Sequence, residues 1–196
     1  MIALSIIISY IYGSIPFGLL IGKLWKKIDV RTLGSKNIGA TNILRTLGPG
    51  PAALSLIGDV SKGVLAVLLG RIAGGETLSV ICGIIAITGH NWSVFLKFSG
   101  GRGISTTLGV YIMLMPKEAL IGVIIWGIVL LLTRYVSLGS IIAISTGPFL
   151  SWFFGEPLPY ILYTVVVAVF GVYKHRANIS RLISGKEFKI GEKVGR

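Results

Sequence analysis

Gly34 to Gly48 reads GSKNIGATNILRTLG, a run of glycine, amide, hydroxyl and cationic residues set between apolar stretches. The chemistry this mixture suits is the holding of an anion. Glycine lets successive backbone N–H groups turn toward one point, and Ser, Thr and Asn add neutral donors. A guanidinium brings charge and a planar fork that matches phosphate. Arg45 is that group here, one or two helical turns beyond the glycine-rich part. GHNWSVFLKFSGGRG, Gly89 to Gly103, repeats the pattern with Arg102, and KHRANISRLISGKE, Lys174 to Glu187, repeats it again. SGGRG also opens an apolar segment, where the positive end of a helix dipole favours negative charge. The P-loop pattern G-x-x-x-x-G-K-[ST] is absent.

Both histidines fall in these islands. His90, beside Asn91 and Trp92, reads first as a structural hydrogen-bonding group. His175 has the stronger claim on a substrate. Its neighbours Lys174 and Arg176 would depress its pKa and keep the imidazole neutral, as an acceptor or base requires. Asn178, three residues on, shares its face if the last helix continues. Asp59 and Lys62 in GDVSKG have the i, i+3 spacing of a local ion pair. Two distant histidines without a carboxylate or thiolate cluster fit no usual metal site, and Cys82 lies in an apolar run as a small hydrophobe.

The elements that must position these islands are membrane spans. The 196 residues are 53% hydrophobic and 13% charged, more apolar surface than a soluble domain of this size can bury. The fold class is therefore all-α and polytopic, one integral membrane domain over residues 1–196. Seven apolar segments occur near 2–22, 52–73, 77–96, 104–115, 119–133, 138–154 and 158–173. The first lacks a basic leader and cleavage site and reads as a retained span. MPKEA, Met115 to Ala119, divides a stretch too long for one crossing. The alternative is six crossings, with the fourth or fifth segment lying only partly across. With seven, the termini face opposite sides. Of the 19 Lys and Arg, 17 then share the face that holds all three islands, leaving Arg71 and Lys117 opposite. The positive-inside rule makes that face cytoplasmic, with the N-terminus outside and the C-terminus inside. A Gly-Asn-Ser stretch is often an ordinary turn, and a basic loop often an anchor on anionic lipid. Three such islands on one face favour a common anion site.

GSIPFG (Gly13 to Gly18), GSKNIGATN followed by Arg45, GHNWSVFLKFSGGRG and KHRANISRL together resemble the bacterial acyl-phosphate-dependent glycerol-3-phosphate acyltransferases, the PlsY family. The likeness covers nearly the whole chain, in order and with the right spacing. It implies a seven-helix enzyme of the bacterial inner membrane with its site toward the cytoplasm. That enzyme moves an acyl group from acyl phosphate to the 1-hydroxyl of sn-glycerol 3-phosphate, giving lysophosphatidic acid and phosphate, the first step of phospholipid synthesis. It implies no cofactor, no metal and no nucleic acid. The partners are the two substrates, membrane lipid, and the soluble enzyme that makes acyl phosphate. The family lacks the H-x-x-x-x-D motif of other glycerolipid acyltransferases, and neither histidine here has an aspartate five residues on.

Carried to this chain, Ser35, Asn37, Gly39, Thr41 and Asn42 match a cradle for acyl phosphate, Arg45 the glycerol-phosphate-binding arginine, and His175 with Asn178 a polar pair. Ser35, Arg102, His175 and Asn178 are thus the expected catalytic residues. Asn37, Gly39, Thr41, Asn42, Arg45, His90, Gly100, Gly101 and Gly103 are the expected binding residues. Two positions depart from the family pattern. Arg102 stands where lysine is common and keeps the charge. Lys36 stands where glycine is common, in the tightest part of the first loop, so that loop is expected to change shape. A transporter would set its polar groups at mid-membrane on broken helices, and a scaffold would need no such islands.

Overall fold

A computed structural model describes residues 1–192. Among them are nine α-helices and two 3₁₀ turns, with no strand beyond an isolated bridge between Ser93 and Ser99. The helices are α1 (Ile2–Ser14), α2 (Phe17–Lys26), α3 (Ala40–Leu47), α4 (Pro49–Asn91), α5 (Ile104–Leu114), α6 (Pro116–Thr133), α7 (Val136–Phe153), α8 (Leu158–Lys174) and α9 (Arg176–Ile183). Lys193 and the three residues after it lie outside the described residues.

Packing is inverted relative to a soluble protein. The buried residues of α1 are Ser5, Ser9, Gly13 and Ser14, while Ile7, Ile8 and Ile11 are exposed. Small residues let helix backbones approach closely, and large apolar ones face lipid. The same logic joins α4 to α5, where a Cβ on Gly63 would strike Thr106 O and one on Gly109 would strike Val60 O. A core of Val67, Ile87, Val110, Met115, Tyr163 and Val167 ties α4, α5 and α8 together.

The expected segments appear with altered ends. Pro16 breaks the first into α1 and α2, bent by 40°. The second and third are two helical limbs, together labelled α4, joined at Gly74 and Gly75, whose backbone leaves the helical region and folds the chain back. Gly75, at φ 77°, takes the left-handed conformation open to glycine. The third segment stops at Asn91 and not at residue 96, because Trp92 leaves helical geometry and Val94–Leu96 is a 3₁₀ turn. Met115 divides α5 from α6, within the Met115 to Ala119 division read from the sequence, and Pro116 opens α6. By length and apolarity α4, α6 and α7 qualify as crossings, or five elements if the bent pairs α1–α2 and α8–α9 each count as one. At about 1.5 Å per residue α5 is only about 16 Å long, roughly half the ~30 Å of hydrocarbon. It is the segment that the six-crossing alternative leaves partly across.

Candidate active site

The first island is built around Asn42, in the first turn of α3. Its Oδ1 accepts from Ser35 N (2.9 Å), and its Nδ2 donates to Val30 O (2.9 Å), Leu33 O (3.1 Å) and Asn37 O (2.8 Å). Asn37 Oδ1 in turn accepts from Gly39 N (2.8 Å). Asn42, expected to bind substrate, borders the cavity described below, and both its amide atoms are engaged inside the loop, which it braces. Lys36 sits at φ 57°, in the left-handed region. The loop therefore holds the backbone conformation that suits glycine, at a cost of roughly 1–2 kcal/mol for the Cβ.

The second island packs against its own start. Gly101 N donates to His90 O (3.0 Å). A Cβ on Gly100 would strike His90 O, and one on Gly101 would strike the His90 ring at Nε2. These two glycines, expected at the substrate, are spacers against His90, Gly100 half-buried and Gly101 buried, and neither borders the cavity described below. His90 is likewise tied down. Its Nδ1 lies 3.2 Å from Lys62 Nζ and 3.4 Å from Asp59 Oδ1, and Asp59 and Lys62 form the expected ion pair at 2.7 Å. His90 buttresses the glycine loop, in line with its first reading as a structural group, and it also borders the cavity described below. Gly103, at φ 80°, leads into α5, and no side chain caps that helix. The amides of its first turn are thus open to an outside acceptor.

In the third island α8 does not continue. The chain bends by 58° at His175, so the shared helical face expected for His175 and Asn178 does not exist. His175 is 1% exposed, and its Nδ1 donates to Gly171 O (2.7 Å). That bond keeps the proton on Nδ1 and leaves Nε2 as an acceptor. Burial, then the Arg102 guanidinium, bring the imidazole down to about 4. The sequence neighbours expected to do this do not: Lys174 Nζ instead donates to Asn91 O (2.6 Å). Asn178 Nδ2 donates to Glu187 Oε1 (2.7 Å), which also accepts from Ser137 Oγ (2.9 Å). Glu187 Oε2 pairs with Arg181 Nε at 2.7 Å. Sequence reasoning passed over Glu187, Ser137 and Arg181. The one available signal was that Glu187 is the sole carboxylate of its island.

One cavity of about 520 Å³ gathers side chains from all three islands. Ser35, Asn37, Gly39, Thr41, Asn42 and Arg45 border it from the first, His90, Arg102 and Gly103 from the second, and His175 and Glu187 from the third. Arg45 is half-buried; its Nη2 donates to Phe188 O (3.1 Å) and its guanidinium lies over the Phe188 ring. Burial lowers its pKa, opposed by Glu187. Arg102 is brought down to about 10 chiefly by burial and stays charged at neutral pH. Among the described residues Arg102 has no hydrogen-bond or ion-pair partner, so its donors remain available. From this head the cavity continues between apolar walls, including Leu56, Leu108, Val123 and Ile144.

Comparison with known proteins decides the family. A family model for glycerol-3-phosphate acyltransferases matches residues 3–185. The chain belongs to that family. It is 52% identical to a glycerol-3-phosphate acyltransferase of Desulforudis audaxviator strain MP104C over 95% of this chain and 94% of that one. Identity to glycerol-3-phosphate acyltransferase 2 of Moorella thermoacetica is 46%, over 97% and 98% of the two chains. The crystal structure of PlsY (YgiH), an integral membrane glycerol 3-phosphate acyltransferase in its glycerol 3-phosphate form, superposes with a TM-score of 0.93 at 35% identity, covering 97% of this chain and 96% of that one. Its lysophosphatidic acid form gives 0.90. In this acyltransferase-family chain the polar head of the cavity is held between α3, the start of α5 and the α8–α9 bend. Among its described residues no group of three His, Cys, Asp or Glu side chains is disposed to hold a metal ion.

Proposed function

We propose that this protein transfers an acyl group from acyl phosphate to the 1-hydroxyl of sn-glycerol 3-phosphate, giving lysophosphatidic acid and phosphate. The observation that carries the reading is the cavity itself, a cationic, donor-rich head continuous with an apolar channel. Such a shape suits a ligand with an anionic end and a hydrocarbon tail. Arg45 binds the glycerol phosphate, while Ser35, the α5 amides and Arg102 receive the acyl phosphate.

The transfer is direct. The glycerol oxygen forms a bond to the acyl carbon, the bond from that carbon to the phosphate oxygen breaks, and phosphate leaves. Arg102 and the amides stabilise the negative charge that grows on the carbonyl and leaving oxygens. An imidazole with a pKa of about 4 is a weak base, so His175 Nε2 accepts from the hydroxyl and orients it. The proton passes to a phosphate oxygen of the donor. Asn178, held by Glu187, keeps the third island in register with His175.

The protein sits in the bacterial inner membrane with the short α5 serving as the fourth of seven crossings, its N-terminus outside and the site open to the cytoplasm, within reach of the soluble enzyme that supplies acyl phosphate. The test is an assay of purified protein in detergent with acyl phosphate and glycerol 3-phosphate. Release of phosphate and lysophosphatidic acid in equal amounts is expected. Phosphate release independent of glycerol 3-phosphate, or an acyl-enzyme trapped on Ser35, refutes direct transfer.

A further inference from the structure

The end of the cavity farthest from the cations is closed by polar groups. Glu118, in the first turn of α6, and Tyr111, in the last turn of α5, both border it. Glu118 is 2% exposed and Tyr111 7%. Glu118 Oε1 and the Tyr111 hydroxyl are buried and have no hydrogen-bond partner among the described residues. The Tyr111 hydroxyl fills the place where a Cβ on Gly147 would stand, so α7 closes the same end. Glu156, in the connection between α7 and α8, lies against Glu118; burial, then the Glu118 charge, raise its pKa. Neither Glu118 nor Tyr111 has a part in binding phosphate or in the transfer described above.

We infer that Glu118 and Tyr111 form a polar stop that sets the length of acyl chain the channel accepts. The inference rests on the acyl-donor reading and adds its chain-length selectivity. From Gly103, at the cationic head, to Tyr111 along α5 is 8 residues, about 12 Å at 1.5 Å per residue. Along α7 the cavity wall descends from Ser137 to Leu150, about 20 Å by the same rise. A carbon chain with bonds of about 1.52 Å at about 111° advances roughly 1.25 Å per carbon, so the channel holds about 10 carbons to the level of Tyr111 and about 16 over its whole depth. Each methylene added within the apolar walls is worth about fourfold in affinity. The next one beyond the stop must press an apolar group onto a buried carboxyl oxygen that nothing else satisfies, which reverses the gain.

The test measures kcat/KM for acyl phosphates of twelve, fourteen, sixteen and eighteen carbons, with saturating glycerol 3-phosphate, on wild type and two variants. Wild type is expected to fall about tenfold or more between sixteen and eighteen carbons. Glu118→Ala deepens the channel, and its eighteen-carbon substrate should come within about threefold of the sixteen. Gly122 also borders the cavity, and a Cβ there meets nothing within 4 Å. Gly122→Leu should therefore fold normally and move the optimum down by two or more carbons; it carries the test if Glu118→Ala does not fold. A chain-length profile unchanged in either folded variant overturns the inference. Wild type inactive with every acyl phosphate instead refutes the donor assignment and is thereby told apart.

Discussion

His175 gives the sharpest test of how this site works, because its two possible roles differ in pH dependence. An imidazole of ordinary pKa, about 6.5, would be about one-quarter protonated at pH 7. At a pKa of about 4 only roughly one molecule in a thousand carries that proton. The wild-type imidazole should therefore show no titration between pH 6 and 8 by ¹H–¹⁵N NMR in detergent. Its signal is assigned by loss in His175→Gln, which leaves His90 as the other histidine. Arg102→Gln removes the second cause of the depression and should move the titration upward. In kinetics, His175→Gln deletes one buried hydrogen bond to substrate, worth about 1.5 kcal/mol, so KM should rise about tenfold. Loss of a true general base typically costs about 10²–10⁴ in kcat. Glycerol 3-phosphate itself titrates near pH 6, so wild type and variant are compared at each pH. A hundredfold fall in kcat at unchanged KM, with a wild-type inflection near 6.5 that the variant lacks, would refute the orienting role.

Four further outcomes are expected. Arg45→Ala should raise KM for glycerol 3-phosphate about tenfold or more, since a charged hydrogen bond is worth roughly 1.5–3 kcal/mol; unchanged kinetics remove Arg45 from the site. Lys36→Gly should relieve the left-handed strain and stabilise the protein by about 1 kcal/mol in thermal unfolding, less whatever the freer glycine chain gains when unfolded. The folded pKa of His175 lies below its unfolded value near 6.5, so the unfolded chain takes up the proton first. Wild type should then lose about 3 kcal/mol of stability as pH falls from 6.5 to 4, a loss that His175→Gln should lack. A cysteine near Glu156 should react with an impermeant reagent on intact spheroplasts and one near Lys193 only after lysis, against a silent background because Cys82 is buried. The reverse pattern overturns the orientation.

Local chemistry made much of this protein legible before folding. Apolar runs of membrane length and the division at Met115 to Ala119 depend on neighbours a few residues away. So does the Asp59–Lys62 pair, one helical turn apart, whereas the break at Pro16 inside the first run went unread. The three polar islands announced themselves by residue type, and their motifs resemble the family the chain belongs to. Tertiary structure decided which polar atoms in those islands are free. Asn42 is consumed inside its own loop, and Gly100 and Gly101 turn their small size toward His90. Glu187, not expected at all, holds Asn178 from one side and Arg181 from the other, while Ser137 reaches it across 50 positions of sequence. His175 is depressed by burial and by Arg102, from a different island, and not by the adjacent residues in the chain. The reason is physical: a donor or acceptor binds a ligand only if nothing in the fold has already satisfied it, and burial sets its charge. Residue type states what an atom can do, but its remaining capacity is fixed by partners that only the packed helices bring near.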